Sequence, residues 1–124
     1  MKKKINFLKK KEKIIIFLLL LLSLIINQYY GNRGVFPIDS FLIFDSAFNI
    51  ISGNHPFKDY WAITGFILDY IQSFIFLVFG INWFSYVFHA SVLNMILTLY
   101  TFYFFSKVGL NVFYAFIYSL GVSI

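Results

Sequence analysis

Beyond Glu12 the acidic residues of this chain are Asp39, Asp45, Asp59 and Asp69. With His55 and His89 they are the side chains best suited to hold or move a proton. Their chemistry depends on where each one falls. Asp39 follows Pro37-Ile38 at the head of an amphipathic stretch, where a carboxylate caps a helix through its side-chain oxygen and the helix dipole. Asp45 lies six residues later on the same polar arc and reads as part of a solvated face. Asp59 stands beside Lys58 in a polar segment, and His55 beside Pro56 reads as a turn residue rather than a ligand. Asp69 interrupts an apolar run, with Gly65, Gln72 and Ser73 spaced to share its face. A carboxylate inside a membrane helix costs roughly 2.5 to 3.5 kcal/mol on insertion scales, so Asp69 is expected to face a cavity or a partner. No pair of histidines or carboxylates has the spacing of a metal site, and with no cysteine there is neither a disulfide nor a thiolate ligand. No cofactor is read from these residues.

The elements that must position them are membrane helices. The chain is 60% hydrophobic and only 12% charged, against about 45 to 50% and about 25% in soluble domains. Its mean hydropathy is +0.81. Seven of the ten basic residues are Lys2, Lys3, Lys4, Lys9, Lys10, Lys11 and Lys13, ahead of an apolar run. Such a cluster marks a cytoplasmic flank and can touch anionic headgroups of membrane lipid; it does not point to nucleic acid.

Residues 14 to 30 form the first expected span. After Ile26 comes Asn-Gln-Tyr-Tyr-Gly-Asn-Arg, with no small-residue cleavage site, so the segment reads as an anchor rather than a signal peptide. Residues 31 to 60 then form an extracytoplasmic loop. Within it a surface helix is expected from Ile38 to Ser52: Asp39, Asp45, Ser46, Asn49 and Ser52 share one arc, and Phe41, Ile43, Phe44, Ala47, Phe48, Ile50 and Ile51 cover most of the rest. Gly53 followed by Asn54-His55-Pro56 should stop it. Spans are expected at about 63 to 79 and 84 to 105, joined tightly by Gly80-Ile81-Asn82, with Trp61 and Trp83 at interfaces. A fourth run, 112 to 124, is too short to cross. The fold class is therefore all-α and multi-pass, with three complete spans and a fourth cut short, in a cell membrane such as the bacterial inner membrane. On the third span Ser91, Asn94, Thr98 and Thr101 form a polar stripe that reads as interhelical glue. His89 lies off it and has no evident partner for proton relay.

Several of these residues recur in one arrangement: Pro37-Ile38-Asp39-Ser40, Asp45, then Gly53-Asn54-His55-Pro56-Phe57-Lys58-Asp59-Tyr60-Trp61, Thr64-Gly65 and Phe79-Gly80. From about residue 14 onward this resembles the N-terminal part of the C-type membrane glycosyltransferases, the branch of protein mannosyltransferases and of aminoarabinose and lipopolysaccharide sugar transferases. Ser40 stands where many members have Glu, and Phe66 where they have proline. The resemblance implies transfer from a polyprenyl-phosphate sugar to an acceptor, with Asp39 as the catalytic base on the acceptor hydroxyl. Asp45 and Asp59 are substrate-binding candidates within this pattern, Asp69 is one by its place inside an apolar helix, and a divalent metal between Asp45 and the donor phosphate stays open. Members of that family build the donor cavity from many more membrane helices, so the chain is expected to be an N-terminal fragment, inactive alone. The alternatives are a small non-enzymatic membrane protein or subunit, motivated by length, and a piece of a transporter, motivated by Asp69 and His89.

Overall fold

The computed structural model describes the backbone of residues 2–34, 37–63 and 65–123, and the side chains of 11–34, 41–63 and 65–123. Among the described residues the chain is all-helical, with five helices and no strand: α1 (Lys2–Gly31), α2 (Pro37–Ile51), α3 (Phe66–Phe79), α4 (Trp83–Lys107) and α5 (Val112–Gly121). The first helix runs back through the lysine segment, because lysine, leucine and glutamate are good helix formers and no glycine or proline interrupts them. Helix α2 starts on Pro37, whose fixed φ and missing N–H suit the first helical position. Its end is a glycine cap. Gly53 takes φ 92°, Asn54 N–H donates to Asn49 O and Gly53 N–H to Ile50 O, both at 3.0 Å.

Among the described residues two helical segments are long and apolar enough to cross a membrane, Lys11–Gly31 with 21 residues and Trp83–Lys107 with 25. At 1.5 Å per residue they rise about 32 and about 37 Å, against a hydrocarbon core of about 30 Å. Only 11% and 28% of their most apolar windows are buried inside the protein, unlike the core helix of a soluble domain. The span expected at 63 to 79 is shorter than the sequence pattern suggests. Gly65 at φ 96° and Gly80 at φ 84° bound α3 to 14 residues, which rise only about 21 Å.

The chain divides into two compact units, Met1–Tyr29 with Ser91–Ile124, and Tyr30–Ala90. In the first, α1 and α4 run antiparallel. Ser23 Oγ lies 3.4 Å from Thr98 Oγ1, Asn94 Nδ2 donates to Asn27 Oδ1 at 2.8 Å, and Gln28 Nε2 donates to Ser91 Oγ at 3.0 Å. Partners rise along one helix as they descend along the other. Alternating crossings at 14–30, 63–79 and 84–105 would instead leave the first and third parallel. Leu19, Phe102 and Ala115 form the buried core, flanked by Ile15, Ile16, Phe105, Phe116 and Leu120. After α4, Gly109 at φ 93° caps the helix through Leu110 N–H to Phe105 O, and Asn111 Oδ1 accepts Phe113 N–H to begin α5. This fold-back brings Ser123 Oγ to 2.8 Å from Thr98 Oγ1. The polar stripe thus bonds across helices at Ser91, Asn94 and Thr98, while Thr101 turns to its own helix and donates to Leu97 O.

In the second unit α2 packs on α3, with Phe44 edge-on to Phe76 at 4.8 Å between centroids. Asn82 caps α4 by accepting Ser85 N–H at 2.9 Å, while Ser85 Oγ donates to Gly80 O at 2.8 Å, so three residues suffice to turn the chain. Trp83 Nε1 donates to Gly31 O at 2.9 Å. A Cβ on Gly31 would stand 2.6 Å from Val87 Cγ1, so this close approach needs glycine.

Candidate functional site

The second unit gathers the acidic residues that the sequence singles out. Asp39 is the third residue of α2, in its first turn; its side chain lies outside the described residues, as does that of Ser40. Asp45, two turns on, is exposed and accepts a hydrogen bond from Asn49 Nδ2 at 3.3 Å. This is an i, i+4 pair on the helix surface.

Asp59 is built into its loop. Its carboxylate accepts His55 N–H at 2.8 Å, its own N–H donates to His55 O at 2.9 Å, and Lys58 Nζ stands 3.9 Å away. Phe57 N–H donates to Tyr60 O at 2.8 Å, closing the turn around a left-handed Phe57 at φ 66°. A non-glycine residue in that region costs on the order of 1–3 kcal/mol, and the bonds on either side hold it there. The Asp59 carboxylate therefore serves the loop's shape. His55 turns to Tyr70, with Nδ1 3.0 Å from the phenol oxygen and the rings stacked at 6.3 Å.

Asp69 sits fully buried in the first turn of α3, where the helix dipole favours a carboxylate. Gln72, Ser73 and Phe76 continue the same buried face. Opposite Gln72, His89 Nδ1–H donates to Oε1 at 2.8 Å, so the histidine without an evident partner in the sequence has one across the α3–α4 turn.

Between α2 and residues 60–63 lies a pocket of about 610 Å³. Phe41, Leu42, Phe44 and Phe48 line it from α2 together with Asp45 and Ser46, and Tyr60, Trp61 and Ile63 close it. The Tyr60 hydroxyl donates to Ser46 O at 3.1 Å. Burial pushes the Tyr60 phenol above its ordinary range; the bond to Ser46 partly offsets this, and the charge of Asp69, with smaller contributions from Tyr70 and Asp45, adds to the rise. Tyr60 is therefore a neutral hydrogen-bond donor at physiological pH. Asp45 lines this pocket and Asp69 does not. Asp59 belongs instead to the 55–60 turn.

Tyr60 is the residue to which the sequence assigns no role. Its signal was its place directly after Asp59, where a turn closed by Pro56 and Tyr60 delivers its ring to the pocket. Among the described residues no group of three or more histidines or carboxylates could hold a metal ion. No known protein family, curated protein or solved structure matches the chain.

Proposed function

We propose that this chain is an integral membrane protein with its N-terminus in the cytoplasm, and that it forms part of a glycosyltransferase using a polyprenyl-phosphate sugar. The observation that carries the reading is α2. An aspartate in the first turn of a short helix, directly after the first membrane helix, is the arrangement the resemblance implies. Asp39 holds that place, ahead of a Gly53 cap and a loop tied by Asp59. The chemistry asked of Asp39 is proton removal. As the acceptor oxygen attacks the anomeric carbon, the carboxylate takes its proton, the bond from that carbon to the phosphate oxygen breaks, and polyprenyl phosphate leaves from the opposite face with inversion.

In membranes carrying the full-length protein, Asp39→Asn is expected to lower sugar transfer by about 10²- to 10⁴-fold. Asp59→Asn should lower it only through loop stability. Full transfer by both Asp39→Asn and Asp39→Ala would end this reading.

The orientation has its own support. Antiparallel α1 and α4 bring Lys107 to the end of the bundle where Lys11 lies, since Lys11, Glu12, Ser106 and Leu110 line one hollow. Basic residues favour the cytoplasmic side, so α1 and α4 cross and residues 32–82 lie outside. The chain has no cysteine, so single substitutions report cleanly. Ile81→Cys, at an exposed position, should react with a membrane-impermeant maleimide in intact spheroplasts, while Val108→Cys should react only after permeabilisation. The reverse pattern would restore three alternating crossings.

A further inference from the structure

The pocket between α2 and residues 60–63 has a chemistry that the transfer reaction does not use. Five aromatic side chains, Phe41, Phe44, Phe48, Tyr60 and Trp61, line it, and aromatic faces carry negative quadrupole charge. Asp45 lies in the same wall and is exposed. No lysine or arginine stands among the lining residues, so a phosphate or carboxylate entering there would meet a carboxylate and no countercharge. Lys58, two residues before Tyr60 in the sequence, stands 3.9 Å from Asp59 Oδ2 instead. At about 610 Å³ the space is of ligand size rather than ion size, and its open side is exposed to whatever lies over α2.

Other parts of the molecule carry less. His89 and Gln72 bond to each other, and Asn111 at the start of α5 caps its own helix. The aromatic pocket is different, because its walls and its charge select one ligand chemistry.

We propose that this pocket binds an organic ammonium group. The aromatic faces attract the cation through their quadrupoles, the alkyl groups around nitrogen fill the apolar space, and the Asp45 carboxylate supplies the charge partner. Tyr60 keeps its proton and its bond to Ser46, so it offers its ring rather than a second charge. The inference is independent of Asp39 and of sugar transfer.

The test uses the full chain in lipid discs of phosphatidylglycerol, which carries no ammonium group, with choline chloride as the probe. The chain has two tryptophans, so Trp83→Phe leaves Trp61 as a reporter in the pocket wall. Choline should shift Trp61 emission saturably in the millimolar range. The neutral isostere 3,3-dimethylbutan-1-ol should bind roughly tenfold more weakly. Asp45→Asn should weaken choline by about tenfold, and Phe48→Leu severalfold. Both residues are exposed, so helical content by circular dichroism should be unchanged. Equal binding of choline and its isostere, an unaltered choline response in Asp45→Asn, or tighter binding of inorganic phosphate than of choline would each overturn the proposal. Discs that include phosphatidylcholine identify the source: a lost choline response assigns the site to a lipid headgroup, and a retained one to a soluble amine.

Discussion

Phe102→Ala should destabilise the α1–α4–α5 unit by about 3 kcal/mol, read as a shift in denaturant unfolding in detergent. Phe102 is wholly buried against Leu19 and Ala115. In a water-soluble core, truncating phenylalanine costs about 3–5 kcal/mol, through lost transfer energy and the cavity left behind. In the membrane setting proposed above the first of these shrinks, because acyl chains solvate an aromatic ring nearly as well as protein does. What remains is the lost dispersion contact around a void, so the lower end of the range applies. Tyr100→Ala is the internal control. Tyr100 is on the same helix but 69% exposed, and its truncation should cost less than about 0.5 kcal/mol. Equal losses at both positions would mean that α4 does not pack through Phe102.

Why α4 presents that face could be read only in part from the sequence. The stripe Ser91, Asn94, Thr98 is visible at helical spacing, and it forms the α1–α4 contact. Its partners were harder to see. Ser23, Asn27 and Gln28 sit at the end of a run dominated by leucine and isoleucine, where they read as the fringe of an anchor rather than as one side of an interface. Direction could not be read at all, because a 3.6-residue period is the same whether a neighbour runs up or down. The length of α3 was lost for a related reason. Hydropathy alone lets Ile63 join the apolar run, yet the left-handed Gly65 ends any helix before it can reach back to that residue.

Turns were the most legible part. Gly53, Gly80 and Gly109 all take positive φ, and the first two were marked as breaks by their neighbours, Asn54-His55-Pro56 and Ile81-Asn82. Acidic residues were legible as a set but not by role. Asp45 and Asp59 are alike in sequence, both in a polar stretch. Only folding separates them, since a four-residue return from Asp59 to His55 consumes one carboxylate and leaves the other at a pocket. Tyr60 was hidden by composition: among nine tyrosines, one that reaches a pocket looks like any other.

The buried pair His89 and Gln72 allows a sharper experiment than any single deletion. Both are nearly inaccessible, at 4% and 0% exposure, and they bond at 2.8 Å across the α3–α4 turn. Each side chain also keeps one buried nitrogen, Nε2 in both cases, without a partner. Gln72→Leu removes the acceptor and strands the His89 Nδ1–H, which should cost about 1–3 kcal/mol in unfolding free energy. His89→Leu strands Gln72 Oε1 at a similar cost. The double variant Gln72→Leu with His89→Leu strands nothing and releases both unpartnered nitrogens from burial. Its stability should return to within about 1 kcal/mol of the parent, because replacing both partners of a buried hydrogen bond by apolar groups is nearly neutral. The cycle would then give a coupling energy of at least about 1 kcal/mol, well above the additive expectation for distant sites. A double variant as unstable as the sum of the two singles would mean that side-chain shape, not the hydrogen bond, holds α3 against α4.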